Sequence, residues 1–522
     1  MEHNGMDRDM VEYGYNLMLY CVYAYILDPP VSAAATLSLS GDAARTAALA
    51  SRWRSVWRSA PLSLVDSHLL PDGGASGPFI IGAPSPRAVT AAVSSALAAH
   101  PGPFRCVHLT CSTMEEHRGE MSRWLDILVA KGVQELVFVN RPWPIDLRLP
   151  ATLFSCASLT RLCLGVFRLP DTAAVLRGAG FPNLRELILC LNTMEERDLA
   201  FLLERSPVLE FLFIMGNQAG GVRLRLVSHS LRCVQLGFSF SEDIDVVDAP
   251  RLERLFQFGE LAHSHRMDNT THPRIKNFAY RIKIGRAPNL RVLGYLEPGV
   301  QDLGISNTVV VAGSKEIIVP SVQILGIEVQ FGLRNAVKKV PGFLKCFPNL
   351  ETLLVHSRRI SEESTGKVNL RFWQEGGPIK CVMEGMKKVL FYEFRGSRSE
   401  VTFLKFVAER ARVLEQMVVV VTRECFSSGD DNVSAKLKPL ISAKWNDKGC
   451  KLELFKSSLD DGGTRVYSHK LASDFEFADP FDLKYYYTEQ RIFAGYQHAS
   501  LLKFYSRDVD IAPVVTSNEQ DI

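Results

Sequence analysis

The dodecamer Phe181-Pro182-Asn183-Leu184-Arg185-Glu186-Leu187-Ile188-Leu189-Cys190-Leu191-Asn192 constrains this chain more than any other stretch, because the chain contains it several times over. Read alone it is ambiguous. Leu184, Leu187, Ile188 and Leu191 fall at i, i+3, i+4 and i+7, the spacing of one helix face. Recurrence decides for a short strand. Leu209, Leu212, Ile214 and Asn217 repeat the template 25 residues further on, and Leu159, Leu162 and Leu164 precede it by the same interval. Weaker copies begin at Cys106, Val133, Leu231, Leu252, Leu290, Val322 and Leu350, with the spacing widening after Leu252. Proline stands two positions before the leading leucine in FPNL, SPVL, APRL, APNL and FPNL again, closing one segment and preparing an extended one.

L-x-x-L-x-L-x-x-N at this period is the pattern of leucine-rich repeats, in which each unit supplies a strand and a turn or helix and buries its apolar side only by stacking. The expected fold class is α/β: a leucine-rich-repeat solenoid with a curved parallel sheet and convex helices, a short N-terminal helical segment and a C-terminal α/β module. The sheet should run from about residue 104 to 420. A chain of 522 residues exceeds what one compact core usually holds, which favours the stack. Thr113-Met-Glu-Glu116 and Thr193-Met-Glu-Glu196 follow strand copies and satisfy the capping-box rule, so each should start a helix. The first would bury Met121, Trp124, Leu125 and Leu128, the second Leu199, Leu202 and Leu203. A further short helix is expected over 88–99.

Charge is nearly balanced, with 60 basic and 57 acidic residues, so the total points to protein partners rather than to nucleic acid or a membrane surface. The apolar run from Tyr13 to Leu27 is shorter than a bilayer span, and the acids ahead of it do not suit a signal peptide. A cytoplasmic or nuclear location is expected. The 11 cysteines are odd in number and scattered over strand positions, as buried free thiols are. The insertion Gly259 to Pro273 carries His263, His265 and His272 without neighbouring ligands at zinc spacing, and reads as a loop. No G-x-S-x-G, H-E-x-x-H or P-loop occurs. No enzymatic activity, cofactor or metal is expected.

Two stretches carry a more specific likeness. Residues 42–61, DAARTAALASRWRSVWRSAP, form an aspartate-capped, proline-closed helix pattern with Leu49, Trp53, Val56 and Trp57 on one stripe. They resemble the second half of the F-box of plant F-box/leucine-rich-repeat proteins. The Leu-Pro-acid helix that opens the F-box in that family is missing, since Val31 to Gly41 stands before Asp42. Residues 385–417, GMKKVLFYEFRGSRSEVTFLKFVAERARVLEQM, resemble the FBD module that follows the repeats in that family. They read as a strand, a helix with Phe403, Phe406, Val407 and Leu414 inward, and a second strand at 415–421, a parallel pair. An exposed turn should follow at 427–434, an aromatic tail at 475–487 should pack back on the module, and disorder is expected beyond Asp508.

The resemblance implies a substrate receptor of an SCF-type cullin ubiquitin ligase. Leu49, Trp53, Val56 and Trp57 would meet a Skp-type adaptor, and the repeats would hold a protein client. The alternative is a stand-alone leucine-rich-repeat scaffold or decoy without adaptor binding. The implied division is a leader at 1–41, a partial F-box at 42–70, a linker and short helix at 71–103, and repeats at 104–358. A linker at 359–384, the FBD module and tail at 385–490 and a C-terminal tail at 491–522 follow. Side chains alternating with the consensus leucines should face the open side of the sheet. Among them Phe211, Phe213, Met215 and Phe256, with Arg161 and Arg254, form the candidate client surface, an apolar patch with basic neighbours.

Overall fold

A computed structural model of the chain describes residues 59–69, 87–111, 117–140, 147–171, 178–217, 223–237, 243–258, 281–298, 302–305, 318–358, 369–422, 430–447, 449–456, 472–481 and 502–506, with single residues 114, 175 and 425. The repeat is built from its four-letter punctuation. In Phe181-Pro182-Asn183-Leu184 the amide of Leu184 donates to the carbonyl of Phe181 at 3.2 Å. Ser206 to Leu209, Ala249 to Leu252 and Phe347 to Leu350 close the same turn at 3.2, 3.0 and 3.3 Å. Proline sits at the second turn position, where its fixed φ is already correct and its missing N–H is not needed. In both FPNL copies the asparagine amide reaches the preceding turn, Asn183 to the Ala157 carbonyl at 3.0 Å and Asn349 to the Pro320 carbonyl at 2.9 Å. Each strand then starts against one carbonyl of its predecessor that accepts two amides. Arg185 and Glu186 donate to Thr160 O, and Glu210 and Phe211 to Arg185 O.

The chain divides into two compact units, residues 1–252 with 285–287, and residues 253–284 with 288–522. In the first, β1 (Leu62–Val65), β2 (Phe104–Leu109), β3 (Glu135–Val139), β4 (Arg161–Gly165), β5 (Glu186–Asn192) and β6 (Phe211–Asn217) lie side by side in chain order. After β7 (Leu224–Val227), β8 (Cys233–Gly237) joins on β6, and all these neighbours are parallel. β7 pairs instead with β9 (Asp243–Asp248). Leu187 stands between Leu162 and Leu212, and Leu189 between Leu164 and Ile214. The consensus asparagine explains its place: fully buried Asn192 accepts from the Phe167 amide at 3.0 Å and donates to the Leu164 carbonyl at 2.8 Å. One side chain thus satisfies two main-chain groups of the preceding repeat where the strand ends. Beside it the backbone turns left-handed at the same position of three successive repeats, Val166 (φ 61°), Leu191 (φ 48°) and Gly216 (φ 67°). Only the glycine adopts that conformation without cost.

The helices cover apolar stripes as expected, with one difference in how they begin. α1 (Arg87–Ala99) and α2 (Arg118–Ala130) are joined by Trp124, whose indole N–H donates to Ser94 Oγ at 2.8 Å. α2 buries Met121, Trp124, Leu125 and Leu128, but His117 stands at its N-cap and makes no side-chain cap bond. α3 (Glu196–Glu204) buries Leu199, Leu202 and Leu203, and its capping box is Glu195 with Asp198 rather than Thr193 with Glu196. Thr193 is held in extended backbone by a bridge to Arg168, so the helix starts two residues later.

In the second unit, β10 (Arg254–Phe258), β12 (Val292–Leu296), β14 (Ile324–Val329), β15 (Thr352–Ser357), β16 (Lys388–Phe394), β17 (Gln416–Val421) and β18 (Lys451–Lys456) run parallel in that order. β19 (Leu502–Ser506) pairs antiparallel with β18, and β11 (Arg281–Arg286) pairs with β13 (Asp302–Ile305). α4 (Arg334–Lys345), α5 (Leu370–Glu375), α6 (Arg398–Arg410) and α7 (Asp430–Ile441) are the α-helices of this unit among the described residues. The expected strand, helix, strand order is β16, α6, β17. Ser397 and Glu400 form a reciprocal capping box on α6, and Glu400, fully buried, also accepts from Ser357 Oγ at 2.6 Å. Burial raises the Glu400 pKa despite these donors. Trp373 of α5 stacks on Phe406 and meets Phe403 at a tilt. The turn expected at 427–434 is helical from Asp430 onward; 427–429 lie outside the described residues. So do the run from Tyr13 to Leu27, the helix expected over residues 42–61 as far as Arg58, the histidine insertion at 259–273 and the segment beyond Asp508. No helix among the described residues is long and apolar enough to cross a membrane.

Candidate protein-binding surface

The strands hold the six candidate residues where the repeat places them, yet five of the six are buried. Arg161 is on β4, Phe211, Phe213 and Met215 on β6, in the first unit; Arg254 and Phe256 are on β10, in the second. Phe211, Phe213 and Met215 are 3%, 1% and 2% exposed, and Ile188, Cys190 and Cys163 on the same face are fully buried. An open face between the consensus leucines is therefore corrected to a sheet buried on both sides. The reason is in the letters at the alternate positions. ELILCLN, FLFIM and QMVVVV are nearly unbroken apolar runs, the composition of a parallel strand covered on both faces rather than of one wetted on one face. Arg161 remains partly accessible but engaged. Its guanidinium lies 2.7 Å from Glu186 and 3.8 Å from Glu135, its partners in register on either side, so it forms part of a charge ladder.

On the second unit the cover is identifiable. Arg254 donates to three main-chain carbonyls of residues 472–481: Ala472 at 3.0 Å, Asp474 at 3.0 Å and Phe477 at 2.5 Å. Its guanidinium also lies 5.0 Å from the centre of the Phe475 ring. Phe256 meets the Phe481 ring edge to face at 5.8 Å, and Tyr295 meets it at 5.6 Å. The ring lies over Gly294 and Gly326: a β-carbon on either would be in ordinary contact with Phe481 Cζ, at 3.4 Å, and in tighter contact with the neighbouring strand, 3.2 Å from the Gly326 backbone or 3.3 Å from the Tyr295 ring. Lys388 at the start of β16 binds Asp479 at 2.9 Å. The described part of the aromatic tail thus packs on the repeat strands β10, β12 and β14 as well as on β16, rather than on the module alone. Gly294, Tyr295, Gly326, Lys388, Asp479 and Phe481 were not singled out from the letters. A glycine inside a strand pattern marks close approach by another chain segment, and Leu293-Gly294-Tyr295 and Leu325-Gly326-Ile327 carry that mark.

Two polar clusters invite a chemical reading. Cys106 Sγ lies 3.1 Å from His108 Nε2, the geometry of a thiol and its base. Burial, with Glu135 adding to it, pushes the thiol up to about 12, and burial, with Arg161 and His68 adding to it, lowers His108 to about 4. An activated thiolate needs the opposite shift, so the pair is structural. On the second unit the nearly buried Glu297 and Glu328 each lie 3.5 Å from the half-exposed Arg358, and Gln330 donates to Glu297 at 3.0 Å. Among the described residues no group of three or more histidine, cysteine or carboxylate side chains is placed to hold a metal ion.

Leu49, Trp53, Val56 and Trp57, the candidate adaptor stripe, lie outside the described residues. Comparison with known proteins bears on the modules. The repeat family described as "FBD-associated F-box protein At5g56370, LRR repeats" matches residues 121–355, and the FBD family matches residues 374–419. FBD-associated F-box protein At4g13985 of Arabidopsis thaliana is 32% identical over 145 residues, 26% of this chain, and the match spans only 29% of that relative. F-box/FBD/LRR-repeat protein At5g22670 of the same plant is 24% identical over 60% of this chain and 74% of its own length. FBD-associated F-box protein At5g22720 is 23% identical over 70% of this chain and 78% of its own length. With the asparagine-tied strands of the first unit and the β16, α6, β17 arrangement of the second, these matches show that residues 121–355 and 374–419 are similar to the repeats and the FBD module of plant F-box/leucine-rich-repeat proteins.

Proposed function

We propose that the chain is a substrate receptor of an SCF-type cullin ubiquitin ligase, holding a protein client on its repeats while other subunits carry the transfer chemistry. The supporting observation is the order of modules: an F-box-like stretch at 42–61, then repeats matched over 121–355, then FBD over 374–419. In this reading Leu49, Trp53, Val56 and Trp57 dock a Skp-type adaptor, which in turn joins the cullin. Neither nucleic acid nor a membrane takes part, no cofactor is needed, and the protein works in the cytoplasm or nucleus. A second reading is favoured by Val31 to Gly41, which stands where the first F-box helix would be. There the chain is a stand-alone protein-binding scaffold or decoy.

Capture of the full chain by purified Skp-type adaptor and cullin separates the two. Receptor function predicts binding that is weaker than that of a relative with a complete F-box by at least about tenfold, or roughly 1.4 kcal/mol. It also predicts that Trp53→Ala abolishes capture and leaves the repeats folded. No detectable adaptor binding by a folded chain would overturn the receptor reading in favour of the scaffold.

A further inference from the structure

We propose that β10, β12 and β14, with Lys388, form a peptide groove selective for an extended segment that carries an acid two residues before an aromatic. Residues 472–481 occupy this groove as an internal stand-in for such a partner. The inference rests on the reading that the repeats bind a protein client, and it names the chemistry of that client and the contact that regulates access to it.

The grip is suited to a chain without regular structure. Arg254, 4% exposed, directs its guanidinium at the carbonyls of Ala472, Asp474 and Phe477, groups that every peptide presents whatever its sequence. Selectivity comes from the two contacts that follow. Phe481 stands over Gly294 and Gly326, where a side chain longer than that of alanine would intrude on its ring, with Phe256 and Tyr295 beside it. Asp479, two residues earlier, binds Lys388 across a bridge that is 24% exposed on the lysine and 22% on the aspartate. Asp479 also accepts from the Phe481 amide at 3.0 Å, a local turn that fixes the spacing between acid and ring.

The occupant is laid on the sheet rather than threaded through it. Glu476 and Ala478 are exposed, and Ser473, Asp474, Phe475, Phe477 and Asp479 are half-buried, while Ala472, Pro480 and Phe481 are the buried anchors. The strands beneath pair with one another and none of their ladder bonds passes through the segment, so it can leave without opening the sheet. An incoming peptide with the same anchors would compete for the partly accessible Lys388 bridge first and the buried socket second. A tethered occupant lowers the apparent affinity of such a partner by the fraction of time the groove is open.

A fluorescein-labelled peptide of residues 472–483, ASDFEFADPFDL, tests this by anisotropy against the full chain. A release variant combining Asp479→Lys with Phe481→Ala should bind the peptide at least tenfold more tightly than the parent does. Replacing the peptide's residue equivalent to Phe481 by alanine, or adding Gly326→Val to the release variant, should remove that gain. Equal affinity for parent and release variant would overturn the proposal, as would binding that ignores the aromatic. Hydrogen exchange on the release variant gives the independent check. Collapse of amide protection across β10, β12 and β14 would show the segment to be a fixed part of the fold and overturn the proposal, whereas retained protection supports a displaceable occupant. Failure here with adaptor capture intact would remove only the groove; lost adaptor capture with peptide binding intact would remove only the ligase assignment.

Discussion

Replacing Asn192 by leucine isolates the contribution of the repeat asparagine. The side chain is fully buried, accepts from the Phe167 amide at 3.0 Å and donates to the Leu164 carbonyl at 2.8 Å. Leucine nearly conserves volume and leaves both groups buried without their partner. Each such orphan costs about 1–3 kcal/mol, and the added apolar side chain recovers about 1–2 kcal/mol. Two orphans less that recovery leave an expected net loss of about 2.5 kcal/mol, the midpoint of the range. A single unfolding free energy is poorly defined for a long stacked chain, and repeats lose stability locally. The measurement is therefore native hydrogen exchange across 162–167 and 187–192. Exchange should quicken roughly sixtyfold there, at about 1.4 kcal/mol per decade, with the second unit unchanged. Exchange at the parent rate, or uniform acceleration through both units, would refute the assignment of the asparagine as a local tie between repeats.

Asp66 supplies a pH test. It is fully buried and accepts from the Thr110 and Cys111 amides at 2.8 Å each, yet burial outweighs these donors and raises its pKa from 3.8 to about 6. The folded state therefore holds the proton more tightly than the unfolded state, so stability is full below pH 3.8, falls as pH rises toward 6 and then levels off. The shift corresponds to about 3 kcal/mol. Asp66→Asn can keep both amide bonds and donate to Thr110 Oγ1, so its local protection should exceed the parent's at pH 7.5 and converge on it near pH 3.5; a constant difference would refute the raised pKa. At Leu191 (φ 48°, half-buried) glycine relieves roughly 1–2 kcal/mol of left-handed backbone cost while losing a similar amount of apolar burial. Leu191→Gly should thus leave exchange within about tenfold of the parent, whereas Leu189→Gly, at a fully buried extended position, should speed it far more; equal effects would show that the left-handed turn stores no strain.

Strand positions were legible because the repeat registers itself: a tight turn at each proline tetrapeptide and an asparagine that ties the strand exit recur with the leucines. The helix faces were legible for the same reason, whereas the cap of α3 was not. Thr193-Met-Glu-Glu196 satisfies the capping-box rule on paper, but a bridge to Arg168 keeps Thr193 extended and passes the role to Glu195 and Asp198. The candidate surface was misread through one assumption, that residues between consensus leucines face solvent. Phe211, Phe213 and Met215 are placed in register but buried, and the unbroken apolar runs around them already said so. Arg254 and Phe256 drew attention for the right chemistry, a cation beside an aromatic. Their partners lie more than two hundred residues away, at a distance that no periodicity reveals. β7 and β9 were missed although LRLV and DIDVVD alternate with period two, because a search tuned to one repeat passes over a different pattern between its copies.

A stack of parallel repeats has no intrinsic last member, since each strand presents to the next the same row of amides and carbonyls that it took from the one before. In the second unit that succession is broken by polarity. β19 meets β18 antiparallel, pairing Ser506 with Glu453 and Leu502 with Lys456, so the row that would accept another parallel strand is spent on a segment running the other way. A further parallel repeat therefore has no place directly on β18. Five residues, Leu502 to Ser506, thus fill the edge of β18 that would otherwise continue the parallel succession, and they move the sheet's edge to a short strand of opposite direction.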